Sequence, residues 1–287
     1  MELELFNSSV QSISQLFKPK RSKNFTFTDL DILKVWFWSV IHDRPVSWAT
    51  QPRNWAIHLR KHALPTDSTM SRRLRTKSIK EFLKALEQKI IAPKDPHSLV
   101  WLIDGKPLTI SGCSKDKQAG YGRAAGGKAK GYKLHAIVGK SGGIANWRIA
   151  PMNKDERVMA ERMLKSTNIN GYIMADGNYD SNKLFAMCDE KQNLQMVVPR
   201  RFGKNRGLGH RKQSAGRLRS KELLEGPETK FGDDLINQRE SIERFYGNLT
   251  NWGGGLAGLP SWVRTHRRVH RWVQAKLLLN AIRRTAA

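Results

Sequence analysis

The chain has only two cysteines in 287 residues, Cys113 and Cys188, and they stand far apart. Without a C-x-x-C pair, a cysteine-built zinc module and a disulfide framework are both excluded, and two lone thiols fit a reduced, cytosolic protein. No apolar run approaches the roughly 18–20 residues of a membrane-spanning helix. The N-terminal MELELFNSSV carries acids where a secretory leader would carry cations. Acids are otherwise scarce: 25 Asp and Glu stand against 51 Lys and Arg, a net charge of +26. None follows Glu243, and none lies between Arg200 and Lys221, a stretch with nine Lys or Arg. An excess of this size implies a polyanionic partner, with double-stranded DNA the first candidate and no membrane.

In a chain so poor in acids, the placing of those it has is informative. Tyr172-Ile173-Met174-Ala175 is a short apolar run of the kind a buried strand uses, and it stops at Asp176-Gly177. Leu99-Val100-Trp101-Leu102-Ile103 is a second such run, and Asp104-Gly105 follows. Open α/β sheets build their sites at the carboxyl ends of strands. Two strands that each deliver an aspartate there point to one acidic site in basic surroundings.

Taken in order, residues 1–95 read as a small helical DNA-binding domain. Thr28 or Asp29 caps a helix with a wide apolar face through Leu30, Leu33, Trp36, Phe37, Val40 and Ile41. Trp36, Trp38 and Trp48 are expected in its core rather than stacked on bases. A basic arm, Lys18-Pro19-Lys20-Arg21, precedes it. A turn at Pro65 leads into a short basic helix with Arg72, Arg73 and Arg75, which reads equally as a groove-reading helix or as a contact for phosphates alone. Ser78 and Glu81 form a capping box for the next helix. Pro93 and Pro96 mark the boundary to a second domain, 96–287.

That domain starts with a strand through Asp104. The Gly- and Lys-rich stretch 112–131 reads as a mobile basic loop that lacks the ending of a P-loop. Strands at 132–138 and 144–149 follow, joined by a turn at 139–143. His135 is expected to be a satisfied structural histidine. Asn153 caps a helix with Asp155 and Glu156 in its first turn. The strand of Asp176, a helix at 181–191 and a fifth strand at 194–198 complete an α/β fold with a mixed five-stranded sheet. The run 200–221 reads as a clamp for the DNA backbone. Residues 233–249 read as one helix, and a last one spans 261–284.

DGKPL after one strand, DGNYDS after another, and Arg239, Glu243, Arg244 and Phe245 in an R-x-x-x-E-R-F run resemble the DDE transposases of bacterial insertion sequences, the broad group around insertion sequences four and five. The resemblance covers about residues 98–284. It implies a ribonuclease-H-like fold and a catalytic, metal-holding triad of Asp104, Asp176 and Glu243 with two Mg²⁺ or Mn²⁺ ions. It also implies cleavage and transfer of DNA strands by a homodimer on DNA in the bacterial cytoplasm. Three carboxylates suit that chemistry, because hard divalent ions prefer oxygen ligands and can stabilise both the attacking and the leaving oxygen at phosphorus. Expected DNA contacts are Arg72, Arg73, Arg75, Arg200, Arg201, Lys204, Arg206, Arg239 and Arg244. At about 100° per residue, Glu243 and Arg239 fall on the flank of the face made by Leu235, Ile242, Tyr246 and Leu249, and Glu240 and Arg244 fall opposite as a surface pair. The alternatives are a DNA-binding protein without catalysis and a nuclease that cuts without joining.

Overall fold

The structure is a computed structural model describing residues 2–16, 26–60, 63–95, 98–191, 193–202, 207–208, 212–252 and 255–286. The helices before the sheet are α1 (Glu2–Leu16), α2 (Asp29–Ile41), α3 (Val46–Ala49), α4 (Asp67–Arg73) and α5 (Lys77–Leu86). Then come β1 (Val100–Thr109), β2 (Gly120–Ala124), β3 (Gly127–Gly139), β4 (Ile144–Pro151), α6 (Glu156–Lys165), β5 (Gly171–Met174), α7 (Asn182–Glu190) and β6 (Leu194–Val197). Last are α8 (Ala215–Glu225), α9 (Lys230–Asn237), α10 (Glu240–Thr250) and α11 (His266–Ala286). The basic arm at 18–21 lies outside the described residues.

The chain divides into two compact units, one of residues 1–91 with 248–287 and one of residues 92–247. The expected second domain ran on to residue 287, whereas the last forty residues group with the helical unit. The reason lies in α11. Val269, Trp272, Val273, Leu277, Leu278 and Leu279 are all at most 2% exposed, and the helix packs on α1 and α2. Lys276, fully buried, donates to the Val40 carbonyl at 2.9 Å and pairs with Asp43 at 2.7 Å. The tryptophans serve this core: Trp38 stacks on Trp55 at 4.9 Å, and Trp36 meets Trp272 edge-on at 5.8 Å. Thr28 closes a capping box with Asp31 at the start of α2. For α5 the cap is Thr76, whose side chain accepts from the Ile79 amide, and the Ser78 hydroxyl instead donates to Asp29.

In the other unit the five expected strands form one mixed sheet in the order β4-β3-β1-β5-β6. β1, β3 and β4 are antiparallel, and β5 and β6 run parallel to β1. This order, a three-stranded meander extended by two parallel strands through helical crossovers, is ribonuclease-H-like. Trp101, Ile103, Ile137, Ile173 and Met196 form a core with Ala160 and Met163 of α6 and Leu184 and Phe185 of α7. The helices α8 and α9 pack on β6, and Phe231 of α9 meets Tyr172 of β5 edge-on at 5.4 Å.

Three expectations change here. The stretch read as a loop contains β2, a sixth strand, which pairs with the first five residues of β3 on the same edge that β4 takes further along. Asp155 rather than Asn153 caps α6, accepting from the Arg157 amide at 2.8 Å. The helix expected at 233–249 is two helices, because Gln238 and Arg239 donate their amides to Leu235 and Ile236, three residues back, and end α9 in a tight turn.

Candidate functional site

The register of the parallel pair sets the site. Leu102 of β1 is paired with Met174 of β5. Asp104 stands two residues further along β1, and Asp176 two residues past the end of β5. β1 continues past this point, paired with β3 through Asp104–Ala136 and Gly105–His135. β5 stops at Met174, and the chain turns through Gly177–Tyr179 with Asp176 as the cap. The Asp176 carboxylate accepts from the Asn178 backbone at 2.9 Å and from its side-chain amide at 3.0 Å.

The two aspartates line one open groove of about 560 Å³, together with Arg123, Lys133, Lys154, Glu156, Arg157 and Arg201. Burial pushes the Asp104 carboxyl up from 3.8 to about 6, and the nearby carboxylates of Asp176 and Glu156 push the same way. A hydrogen bond from the Gly105 backbone and the charge of Arg239 oppose the shift. Asp104 therefore sits beside two further carboxylates in a groove that also holds Asp155 and five cationic side chains.

In sequence Glu156 is only a helix-start acid. Its place at the first position of α6 turns it toward Lys133 of β3, with which it forms an ion pair. The available signal was its spacing of four or five residues after the end of the third meander strand. That spacing brings a first-turn side chain back over the sheet edge.

The expected residues divide into groups. Asp104, Asp176 and Arg201 line the groove, and Arg239 is close enough to act on Asp104. Glu243 is exposed and does not line the groove. Its helix is nevertheless registered on β1, since the Tyr246 hydroxyl, three residues along, donates to the Asp104 carbonyl at 2.9 Å. Glu240 and Arg244 form the expected exposed pair, at 3.9 Å. Arg72 and Arg75 are exposed on the helical unit.

Two arginines expected on DNA are engaged elsewhere. Arg73 is 5% exposed and bonds the Phe27 carbonyl and Asp29, tying α4 to the start of α2. Arg200 pairs with Glu225 at 2.6 Å, both largely buried. Lys204 and Arg206 lie outside the described residues.

A divalent ion is the group this donor set would take. Asp104 and Asp176 offer hard oxygen ligands, and a cation bound there would offset the cost of burial that raises the Asp104 carboxyl. Among the described residues, no three of His, Cys, Asp and Glu are close enough together to share a metal ion. The fit thus extends to the aspartate pair and leaves Glu243 outside it. His135, fully buried beneath this region, has neither ring nitrogen hydrogen-bonded among the described residues, and burial with the neighbouring Lys133 lowers it to about 4. It is a neutral packing residue, without the partner expected of it.

A ribonuclease-H-like sheet that carries two aspartates into a basic groove defines a nucleic-acid-processing class of protein. The family model described as Transposase DDE domain matches residues 95–279. The chain belongs to that family, and so to proteins that act on DNA and that generally use divalent metals. One similar solved structure is the cryo-EM structure of a piggyBac transposase synaptic complex with hairpin DNA. It shares 10% identity at a TM-score of 0.44, over 97% of this chain and 71% of that one. No curated protein sequence matches. No helix among the described residues is long and apolar enough to cross a membrane.

Proposed function

We propose that the protein is an active transposase of a bacterial insertion sequence, cutting DNA at the element's ends and joining them to a target, as a homodimer on DNA. The observation that carries this reading is the pair Asp104 and Asp176, one on β1 and the other just past the end of its parallel neighbour β5, in one groove with a basic rim. Asp104 and Asp176 would hold Mg²⁺ or Mn²⁺, with Glu243 as third ligand. Bound there, the ions would supply the charge that activates the attacking oxygen and stabilises the leaving one.

The chain's own residues do the rest. Arg201 and Lys154 line the groove and would bind phosphates there. Arg239 sits where its charge reaches Asp104, which suits a contact with the phosphate being attacked. Asn178 fixes the rotamer of Asp176 through two hydrogen bonds. Tyr246 ties the helix of Glu243 to β1 through the Asp104 carbonyl. Arg72 and Arg75 on the helical unit, and Arg244 beside Glu243, add phosphate contacts.

The exposed position of Glu243 favours a second reading, a DNA-binding protein that has kept the fold without the reaction. Incubation with DNA from the borders of its own element and Mg²⁺ separates the two. The expected result is nicking at the 3′ ends followed by strand joining. It should be abolished in Asp104→Ala and Asp176→Ala and in Glu243→Gln but not in Glu240→Gln, with DNA binding retained in all four. Cleavage at the wild-type rate in either aspartate variant would overturn the assignment, and binding without any cleavage by the wild-type protein would establish the second reading.

A further inference from the structure

Between Asp116 and Asp155 the sequence holds no acid, only cations. Within that interval, β2 and the start of β3 form a two-stranded ribbon whose cross-strand partners include Tyr121 with Lys130 and Arg123 with Lys128. Residues directly opposite one another in an antiparallel pair point to the same face. One face of the ribbon therefore carries Tyr121, Arg123, Lys128 and Lys130. Tyr121 is 59% exposed, Arg123 and Lys128 are exposed, and Lys130 is half-buried.

The opposite face is built for close approach. A Cβ on Gly122 would come within 2.6 Å of the Met152 carbonyl oxygen, and one on Gly120 within 2.2 Å of the Asn153 side-chain oxygen. The glycines seat the ribbon on the end of β4 and leave the charged face outward.

That face is costly to keep. Like charges directly opposite one another destabilise a strand pair, and Arg123 faces Lys128. Among the described residues no ion pair takes up Arg123, Lys128 or Lys130. The ammonium groups of Lys128 and Lys130 instead sit 5.8 and 5.9 Å from the Tyr121 ring centroid. An anionic partner would relieve the repulsion, and an exposed ring flanked by cations is a platform on which a base stacks while its phosphates are neutralised. The ribbon also reaches the site: Arg123, Ala124 and Ala125 line the groove of Asp104 and Asp176.

We propose that the outer face of this ribbon binds an unpaired stretch of the DNA strand that enters the groove, with Arg123, Lys128 and Lys130 on its phosphates and Tyr121 stacked on a base. The proposal rests on the DNA-processing reading of the groove. It adds a preference for DNA ends with unpaired nucleotides, since base faces are open only where pairing is lost.

The experiment measures affinity by fluorescence anisotropy against salt, using one duplex in a blunt form and in a form with a short single-stranded overhang. The combined variant Arg123→Gln, Lys128→Gln, Lys130→Gln should lower the slope of log affinity against log salt by about 2–3. Tyr121→Ala should weaken binding of the overhang form about 5- to 100-fold and leave the blunt form nearly unchanged, with Tyr121→Phe restoring the wild-type value. Circular dichroism checks that each variant is folded; all four side chains lie on the ribbon's outer face. An unchanged salt slope, or an equal loss on both DNA forms in Tyr121→Ala, overturns the proposal while leaving the transposase reading intact. Wild-type protein that binds neither form overturns both.

Discussion

Two stretches of this chain are basic and free of acids in sequence, 117–154 and 200–221, and the β2–β3 ribbon of the first and helix α8 of the second end up in opposite electrostatic situations. In the second, acids from elsewhere in the fold come to meet the cations. Arg217 makes two hydrogen bonds of 2.8 Å to Asp180. Arg219 pairs with Asp189, and Arg200 with Glu225. Three of the nine cations in the stretch expected as a clamp are thus internal braces that hold α8 against β6 and α7. In the first stretch the ribbon cations meet no acid and face one another. A run without acids is thus not an unpaired run; pairing is decided by which elements pack together.

The largest effect that would test this contrast belongs to Arg217. Asp180 has a side chain only 6% exposed, so Arg217→Ala strands a buried carboxylate. A loss of about 3 kcal/mol is expected in denaturant unfolding, with part of it recovered by adding Asp180→Asn. An unchanged midpoint would show that the brace carries no stability.

Asp104 is the acidic counterpart, a buried carboxyl beside the carboxylates of Asp176 and Glu156. Its folded value of about 6 lies above the ordinary 3.8, so the folded chain holds this proton more tightly than the unfolded one. Below about pH 4 both states are protonated and nothing is lost. As the pH rises through about 6 the carboxylate forms, and its cost to the fold becomes complete. In metal-free buffer, Asp104→Asn should therefore be more stable than wild type at pH 7.5, by on the order of 2 kcal/mol, with the gap closing toward pH 4. Mg²⁺ should narrow it from the other side by stabilising only the wild-type protein. A thermal melt series over pH, with and without Mg²⁺, reads both, and a gap independent of pH would reject the ionisation argument.

The smallest effect is on the ribbon. Lys128→Gln removes a like-charge pair from an exposed face and should raise stability by about 0.2–0.5 kcal/mol. A loss of stability would mean that the ribbon cations are braces as well, and the contrast between the two stretches would fall.

The same contrast shows what could be read in advance. Asp104 and Asp176 were legible because each follows an apolar run long enough to be a strand, and a strand end is a local feature. The order of strands and crossover helices followed for the same reason. β2 was not legible, since GYGRA has no apolar alternation and is a strand only through its pairing with β3 and its close seat on Met152 and Asn153. The braces of Arg200, Arg217 and Arg219 were hidden because their partners lie 25 to 37 residues away in sequence. The turn at Gln238–Arg239 was missed because the apolar pattern runs through it without interruption. Glu156 reads in sequence as an ordinary helix-start acid and reaches the groove only through the packing of α6 beside β3.

The grouping of α11 with residues 1–91 has a consequence for the order in which the molecule is made. α2 is buried on nearly every side, with α11 supplying part of its cover. On the ribosome, that cover is synthesised after the whole of the sheet unit. The sheet unit, whose residues are contiguous, is complete while the first helices still have their apolar faces uncovered. At about 5–20 residues per second, the wait from Ile91 to the end of α11 lasts roughly ten to forty seconds. The helical unit therefore begins before the sheet unit and closes after it, and its tryptophan-rich core is a surface in need of protection in the meantime.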